Sequence, residues 1–194
     1  LGRRTLVVDA ADTSPAAPGA AAFELAACIE PLSPEVSYLP ARGLPLRYVN
    51  TRGSSARLLD ELAQAAPKAD VVLVHAGAAD LARLFTQRAA RPMLLAADHP
   101  ESVKHAYASM KLLAQRSGWM SADLLIVAAP HSPRLQHIAT TLTSCADTFI
   151  GAAVTGWCAI DPASMPHEPP PAELRRLMAA HREPGLFSRI VVFE

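Results

Sequence analysis

The sequence predicts an α/β fold with three layers, α/β/α, built around a mostly parallel, doubly wound sheet. Six apolar runs of strand length recur along the 194 residues, and helical patterns separate them. The runs are continuous rather than alternating, which indicates strands that are buried on both faces. Strands that alternate with helices form right-handed βαβ units. A chain of this length suffices for one such domain.

The predicted elements follow one another in a regular order. The strands are short aliphatic runs, and they span residues 5–8, 36–39, 71–74, 93–96, 124–127 and 149–154. The helices carry apolar residues three and four positions apart, and they span residues 56–65, 78–88, 100–115, 133–145 and 172–181. The third helix begins at Pro100 and ends before Gly118, in keeping with the usual positions of these two residue types.

Composition excludes several classes of protein. The formal net charge is zero, so neither a nucleic-acid partner nor an acidic tail is indicated. The three cysteines, Cys28, Cys145 and Cys158, are far apart in the sequence. This spacing fits reduced thiols in a cytoplasmic protein better than a disulfide frame or a zinc site. No apolar run approaches the ~20 residues that a membrane span needs, and we expect no metal site.

Two acids follow the first strand. Ligands of open parallel sheets bind beyond the carboxyl ends of the strands, so the residues just after each run are the candidates. Asp9 and Asp12 stand there, and a carboxylate at this point could orient a metal-bound water or sense a γ-phosphate. We take both as candidate catalytic residues. The alternative interpretation is a helix cap or a loop acid.

His75 follows the third strand, in the segment Val-Leu-Val-His-Ala-Gly-Ala that also contains Gly77. In P-loop NTPases the strand in this role ends in an Asp that holds Mg²⁺ through its water shell. Histidine replaces that acid poorly, because Mg²⁺ prefers oxygen ligands. One hypothesis is a changed active site. The other is a histidine that fills the vacated pocket and hydrogen bonds to the backbone.

The loops after the fourth and fifth strands supply the remaining candidates for a nucleotide site or a partner-binding loop. Asp98 and His99 open a helix whose N–H groups could meet an anion, or Asp98 caps that helix. Pro130 and His131 stand where an asparagine is expected if adenine is bound. The sequence contains neither an HExxH pattern nor a Gly-x-Ser-x-Gly elbow, which argues against a zinc hydrolase and an α/β-hydrolase.

Taken in order, these segments resemble the MinD/ParA family of P-loop ATPases, and within it the flagellar-number regulators. In that family an acid-tipped strand follows the phosphate loop, and residues 2–12 look similar, with the second acid displaced by one position. Residues 71–78 resemble the Walker B segment with His75 in place of its acid. Residues 99–108 are similar to the family's Pro-Glu-x-x-Ser-x-x-x-Ala-Tyr helix.

The resemblance implies a set of properties. It implies ATP and Mg²⁺ as cofactors, with Asp9 or Asp12 positioning water, and a homodimer formed across the nucleotide face. It also implies a regulatory role, through protein partners, in cell-pole or flagellar organisation. The family attaches to membranes through an amphipathic tail helix. This sequence ends in Ile-Val-Val-Phe-Glu, so we expect no membrane attachment by that route.

The phosphate loop of the family is not in this sequence. We therefore expect a single α/β domain over residues 1–194 that lacks the first strand and the phosphate-loop segment, and a degenerate ATPase. One alternative is an active ATPase whose Walker A loop lies upstream of residue 1. A second alternative is an unrelated α/β enzyme that uses His75 or His99 as an acid or base.

Overall fold

The computed structural model describes residues 3–16, 24–88, 90–129, 131–165, 168–180 and 192–193. These residues form a mixed α/β structure with mostly parallel sheets, so the predicted fold class is confirmed. The chain divides into two compact units. The first unit comprises Leu1–Ala90 with Gly185–Glu194, and the second unit comprises Arg91–Pro184. The single domain over residues 1–194 that the sequence predicts remains a prediction.

The first unit contains a sheet with the strand order β2-β3-β1-β4-β8. Its strands are β1 (Thr5–Asp9), β2 (Glu30–Pro31), β3 (Val36–Pro40), β4 (Val71–His75) and β8 (Val192–Phe193). All neighbouring strands are parallel except β2 and β3. Because β3 and β4 lie on opposite sides of β1, the chain changes direction at β1. Such a switch point opens a crevice beyond the strand ends, where α/β proteins bind ligands.

The helices of the first unit bury leucine-rich faces. They are α1 (Leu44–Arg47), α2 (Arg57–Ala65) and α3 (Ala78–Leu84), and a 3₁₀ turn covers Leu25–Cys28. The third of these helices is shorter than the predicted 78–88, because Phe85 ends it and Gln87 has a positive φ of 61°. Phe85 nevertheless remains in the core, with 1% of its surface exposed.

The second unit contains three parallel strands in the order β5-β6-β7. Its elements are β5 (Met93–Ala97), α4 (Pro100–Ser117), β6 (Ser121–Val127), α5 (Leu135–Ile150), β7 (Ala153–Ile160) and α6 (Ala172–Ala180). The central strand β6 is buried on both faces, as continuous apolar runs predict. Helix α4 packs on β5, and helices α5 and α6 pack on β7. Among the described residues, no helix has both the length and the apolar character that crossing a membrane requires.

The prediction of a strand over residues 149–154 is wrong. Helix α5 continues through Phe149 and Ile150, and the strand begins only at Ala153. Gly151 ends the helix in a left-handed conformation, with a φ of 72°. The error has a physical cause, because a short apolar run does not by itself distinguish a strand from the last turn of a helix. Phe149 in fact lies on the outside of that turn and is 72% exposed.

A buried acid lies within β6. The side chain of Asp123 is 2% exposed, and its Oδ2 lies 3.0 Å from Nε of Arg91. The hydroxyl of Thr155, on β7, donates a hydrogen bond to the other oxygen. The register between β6 and β7 shifts between Ala122 and Asp123. The carboxylate therefore has charged and neutral donors at the irregular point of the sheet, as a buried charge requires.

We expect Arg91→Ala to lower the free energy of unfolding by about 3 kcal/mol, because it removes the cation from a buried carboxylate. Urea denaturation followed by circular dichroism measures this loss. The matched control is Arg4→Ala, which breaks an Arg–Asp pair whose side chains are 57% and 38% exposed. An exposed pair is worth less than ~1 kcal/mol. Equal losses in the two variants would contradict the structural role assigned to Asp123.

Candidate functional site

The structure brings two of the predicted residues, Asp9 and His75, into direct contact. They are register partners at the carboxyl ends of β1 and β4. The Nδ1 atom of His75 lies 2.7 Å from Oδ1 of Asp9. Because a carboxylate only accepts hydrogen bonds, the proton of this bond belongs to Nδ1 of the imidazole. The contact lies at the switch point of the sheet, where a ligand site is expected.

Two further side chains complete the site. The hydroxyl of Ser14 donates to Oδ1 of Asp9, and the phenol of Tyr38 donates to Oδ2 at 3.0 Å. Tyr38 lies on β3, two residues before Pro40, which is the register partner of Asp9 on that strand. We call Asp9, Ser14, Tyr38 and His75 the Asp9 cluster.

The loop after β1 folds back to place Ser14 in this cluster. The backbone N–H of Ser14 donates to the carbonyl of Ala11, which forms a tight turn, and the N–H of Ala10 donates to the carbonyl of His75 at 2.7 Å. Ser14 is consequently buried, with 5% of its surface exposed. The sequence interpretation missed both Ser14 and Tyr38. The register of parallel strands indicates the neighbourhood of Tyr38, whereas no sequence signal indicates the path of a loop rich in Ala and Pro.

The electrostatics of the Asp9 cluster favour an ionised carboxylate. Burial by itself raises the pKa of Asp9, but the hydrogen bonds from Ser14, His75 and Tyr38 together outweigh it, so the pKa lies below its usual value. The contact between Tyr38 and Asp9 has the opposite effect on the pKa of the Tyr38 phenol. Burial and the neighbouring Asp9 carboxylate raise the pKa of Tyr38. The cluster is thus a stabilised anion surrounded by donors.

The arrangement differs from a Ser-His-Asp catalytic triad. In a triad the serine hydroxyl donates to the histidine, which takes its proton, and the acid orients the far side of the imidazole ring. Here Ser14 and His75 both donate to the same oxygen of Asp9. The geometry therefore gives Ser14 no base, and the hydroxyl acts as a ligand of the carboxylate rather than as a nucleophile.

The residues of the Asp9 cluster do not fit a Mg²⁺ ion. Mg²⁺ binds oxygen ligands and keeps several waters, so it needs carboxylate lone pairs that are open to them. The carboxylate of Asp9 already accepts three hydrogen bonds. His75 supplies a nitrogen donor, whose proton points at the acid. Among the residues that the structure describes, no group of three or more His, Cys, Asp or Glu side chains is placed to hold a metal ion.

The other candidates of the first unit lie outside the Asp9 cluster. Asp12 is exposed, and its backbone carbonyl lies 3.4 Å from Nη1 of Arg42, which donates to it. Gly77 is the N-cap residue of α3, with an ordinary φ of −61°. A Cβ atom at this position would meet nothing within 4 Å. Close backbone approach is thus no reason for a glycine there.

The candidates of the second unit form a helix cap and a polar contact. His99 is the N-cap residue of α4, and its Nδ1 accepts a hydrogen bond from the N–H of Glu101 at 3.3 Å. The capping role that the sequence suggested for Asp98 therefore belongs to His99. Asp98 instead accepts a hydrogen bond from the hydroxyl of Ser132 and lies 3.5 Å from Nη1 of Arg134.

The last two candidates contribute less to the site. His131 is exposed at the start of the loop that leads into α5. Pro130 lies outside the described residues. Asp9 and His75 both belong to the first unit, and a direct hydrogen bond joins their side chains.

Comparison with known proteins assigns no family to this chain. A scan against models of protein families finds no match, and a search of curated proteins finds no relative at a significant level. The residues of the site itself are therefore what points to a function.

The acid at the centre of the cluster predicts a pH-dependent stability. Because the folded pKa of Asp9 lies below its ordinary value of 3.8, its ionisation stabilises the fold above that pH. The stabilisation is lost as the pH falls through the lowered folded value. We expect Asp9→Asn to cost about 2 kcal/mol at neutral pH, and the difference from wild type to shrink below about pH 4. Urea denaturation across this range measures it, and a constant difference would contradict the prediction.

The phenols of the first unit provide a second measurement. Burial and Asp9 raise the pKa of Tyr38, while burial and Glu61 raise the pKa of Tyr48 to about 12. We expect Asp9→Asn to move the titration of Tyr38 to lower pH, because the adjacent negative charge is gone. Ultraviolet absorbance in alkaline solution follows the phenolates. Glu61→Gln is the matched control, since it acts on Tyr48. A shift of the same phenol in both variants would refute the Tyr38–Asp9 contact.

Proposed function

We propose that this protein is a MinD/ParA-like regulator that has lost ATP hydrolysis and acts through protein partners in cell-pole or flagellar organisation. One observation carries the proposal. The acid at the tip of β1 accepts hydrogen bonds from three side chains, and one donor is His75, which stands where the family has its Mg²⁺-binding acid. The sheet order around β1 and the parallel pairing with β4 support the same proposal.

The loss of hydrolysis follows from the donors. An acid that orients water or the water shell of Mg²⁺ needs open lone pairs, and Oδ1 of Asp9 already accepts from Ser14 and His75. Replacing the second acid by an imidazole also removes the charge that holds the metal. Each of these electrostatic contributions is worth several kcal/mol in a phosphoryl-transfer transition state. A site that lacks both serves binding better than catalysis.

In the proposed mode of action, the loops bind partner proteins and no reaction is catalysed. In such a regulator, the loops at the carboxyl ends of the strands present a binding surface, and the Asp9 cluster holds their bases in place. We place the protein in the cytoplasm, because Cys28, Cys145 and Cys158 are free thiols, which persist in a reducing compartment. A homodimer formed across the same face is part of the proposal and follows the family resemblance.

The first test is calorimetric titration with ATP and Mg²⁺, on protein that includes any residues preceding Leu1 in the native chain. We expect no saturable binding up to ~1 mM nucleotide. Micromolar binding that requires Mg²⁺, together with release of inorganic phosphate, would overturn the proposal in favour of an active ATPase whose phosphate loop lies upstream. The same titration with ADP serves as a control for binding without hydrolysis.

A pair of His75 variants tests the role of the imidazole. His75→Asp places a second carboxylate opposite Asp9 and removes a donor, so we expect a loss of about 2 kcal/mol in unfolding free energy and no gain of nucleotide binding. His75→Asn keeps an N–H donor and should lose about half as much. Denaturation and calorimetry measure both quantities. Tight nucleotide binding by His75→Asp would show that the site remains an NTPase site.

A second candidate function is supported by the bond between His75 and Asp9. A carboxylate that accepts from one imidazole nitrogen fixes the tautomer and the orientation of the ring, as in histidine acid–base catalysis. Assays with p-nitrophenyl acetate and p-nitrophenyl phosphate test this candidate. An activity that falls about a hundredfold in His75→Gln would favour an enzyme, and equal background rates in both proteins would remove the candidate.

A further inference from the structure

A segment rich in arginine lies directly after β3. Residues 42–57, which we call the arginine loop, contain Arg42, Arg47, Arg52 and Arg57 and no Asp, Glu or Lys. The formal net charge of the whole chain is zero. The segment therefore carries a formal charge of +4, and the rest of the chain carries −4 (0 − 4). It begins two residues after Pro40, the register partner of Asp9, and so belongs to the same end of the sheet as the Asp9 cluster.

Apolar side chains are exposed within the same segment. Leu46, on the single turn of α1, is 57% exposed, and Val49 is 39% exposed. Arg47 and Arg52, which follow Leu46 and Val49 by one and three positions in the sequence, are exposed as well. Leu44 and Pro45 are buried and anchor the turn. The arginine loop thus presents two apolar residues between guanidinium groups, which resembles the composition of a protein-binding surface more than that of a solvated loop.

Internal hydrogen bonds hold the arginine loop in one shape. The carboxamide oxygen of Asn50 accepts from the backbone N–H groups of Arg52 and Ser54, at 2.9 and 3.1 Å. Gly53 supplies the positive φ of 76° that this turn needs. The N–H of Ser55 donates to the carbonyl of Arg83 at 3.0 Å. A surface that is ordered before binding loses less conformational entropy when a partner docks.

The loop is also tied to helix α2. The phenol of Tyr48 donates a hydrogen bond to Glu61 on α2. Arg57 is the first residue of α2, and within that helix it forms an ion pair with the other oxygen of the same carboxylate at 2.9 Å. Both carboxylate oxygens of Glu61 therefore have partners, namely Tyr48 and Arg57. The Tyr48 side chain points toward α2, which leaves Leu46 and Val49 as the exposed apolar residues of the surface.

We propose that the arginine loop docks an acidic segment of a partner protein, one that carries leucine or valine side chains between its carboxylates. This inference rests on the proposed function, because it names the kind of partner that the sheet-end loops receive. Guanidinium groups bind carboxylates through two parallel hydrogen bonds, and they are less strongly hydrated than lysine ammonium groups. Leu46 and Val49 form the apolar centre of the contact, and Arg47 and Arg52 form its charged rim.

The side chains favour a protein over a nucleic acid or a lipid surface. Single-stranded nucleic acids stack their bases on aromatic side chains, and the one aromatic residue of the loop, Tyr48, is engaged with Glu61. A phosphate backbone would also lie against the exposed Leu46. Binding in the plane of a membrane uses a longer amphipathic helix, whereas α1 has four residues.

The test uses fluorescence anisotropy with a labelled peptide of twelve alternating Glu and Leu residues. Its comparison peptide carries Ser in place of each Leu. We expect the Glu-Leu peptide to bind with a Kd of about 10–100 μM and the Glu-Ser peptide to bind about tenfold more weakly, because it lacks the apolar contact. Added salt should weaken both, since the charges at the rim are exposed. A short DNA duplex and vesicles of phosphatidylglycerol and phosphatidylcholine are titrated in parallel.

Matched variants locate the binding surface. We expect Arg52→Glu to weaken the Glu-Leu peptide about tenfold and Leu46→Ser to weaken it about fivefold. The controls are Arg175→Glu, an exposed arginine on α6, and Leu32→Ser, whose side chain is 62% exposed. Both controls should bind as wild type does, and thermal melts show that all four variants fold.

Three outcomes would overturn this inference. They are the absence of peptide binding, equal weakening by the test and control variants, and tighter binding of the duplex or the vesicles than of the peptide. The nucleotide titration separates the two proposals. Absent peptide binding together with absent nucleotide binding removes this inference alone, whereas Mg²⁺-dependent ATP binding with release of inorganic phosphate removes the proposed function whatever the peptide does.

Discussion

The hydrogen bond from His75 to Asp9 joins the ends of the two central strands of the first unit. Parallel strands bring their carboxyl ends to one edge, so an ionised acid at the tip of β1 is surrounded by the tips of β3 and β4 and by the loop that leaves β1. The acid needs donors, because a half-buried charge without partners costs several kcal/mol. Tyr38, His75 and Ser14 supply them, and in doing so they fix two neighbouring strands and one loop.

This use of the acid limits what else it can do. A carboxylate that accepts three hydrogen bonds from protein side chains is a stable structural anion with a lowered pKa. A carboxylate that orients water or a metal ion keeps some of its capacity for the substrate. His75 favours the structural role of Asp9, because its imidazole donates a hydrogen bond to the carboxylate, whereas a second acid at this position would repel it. Under the function that we propose, this contrast is how a chain would keep the sheet of a nucleotide-binding protein and use it for a different purpose.

The sequence predicts β1, β3, β4, β5 and β6 and most helices, because apolar runs and helical spacing leave a simple pattern, but it does not predict the two-residue strand β2. It also predicts Asp9 and His75 as neighbours of the strand ends. It misses Ser14, whose position depends on a loop without periodicity, and Tyr38, whose phenol reaches Asp9 through strand register. It misplaces the start of β7, because Phe149 and Ile150 are apolar in either structure. It assigns a helix cap to Asp98, although a histidine accepts the same hydrogen bond. The apolar pattern of the sequence therefore does not predict polar contacts between residues that are far apart in the chain.

The Asp9 cluster and the arginine loop have complementary physical roles. The cluster surrounds its charge with hydrogen-bond donors and secures the end of the sheet. The arginine loop follows the strand that carries Tyr38, and it exposes its charge beside apolar side chains. Rigid support and exposed charge are the two properties that a preformed docking surface needs. Because the arginine loop begins two residues after β3, the strand that carries Tyr38, loosening the cluster would reach the proposed docking surface through the backbone of one strand.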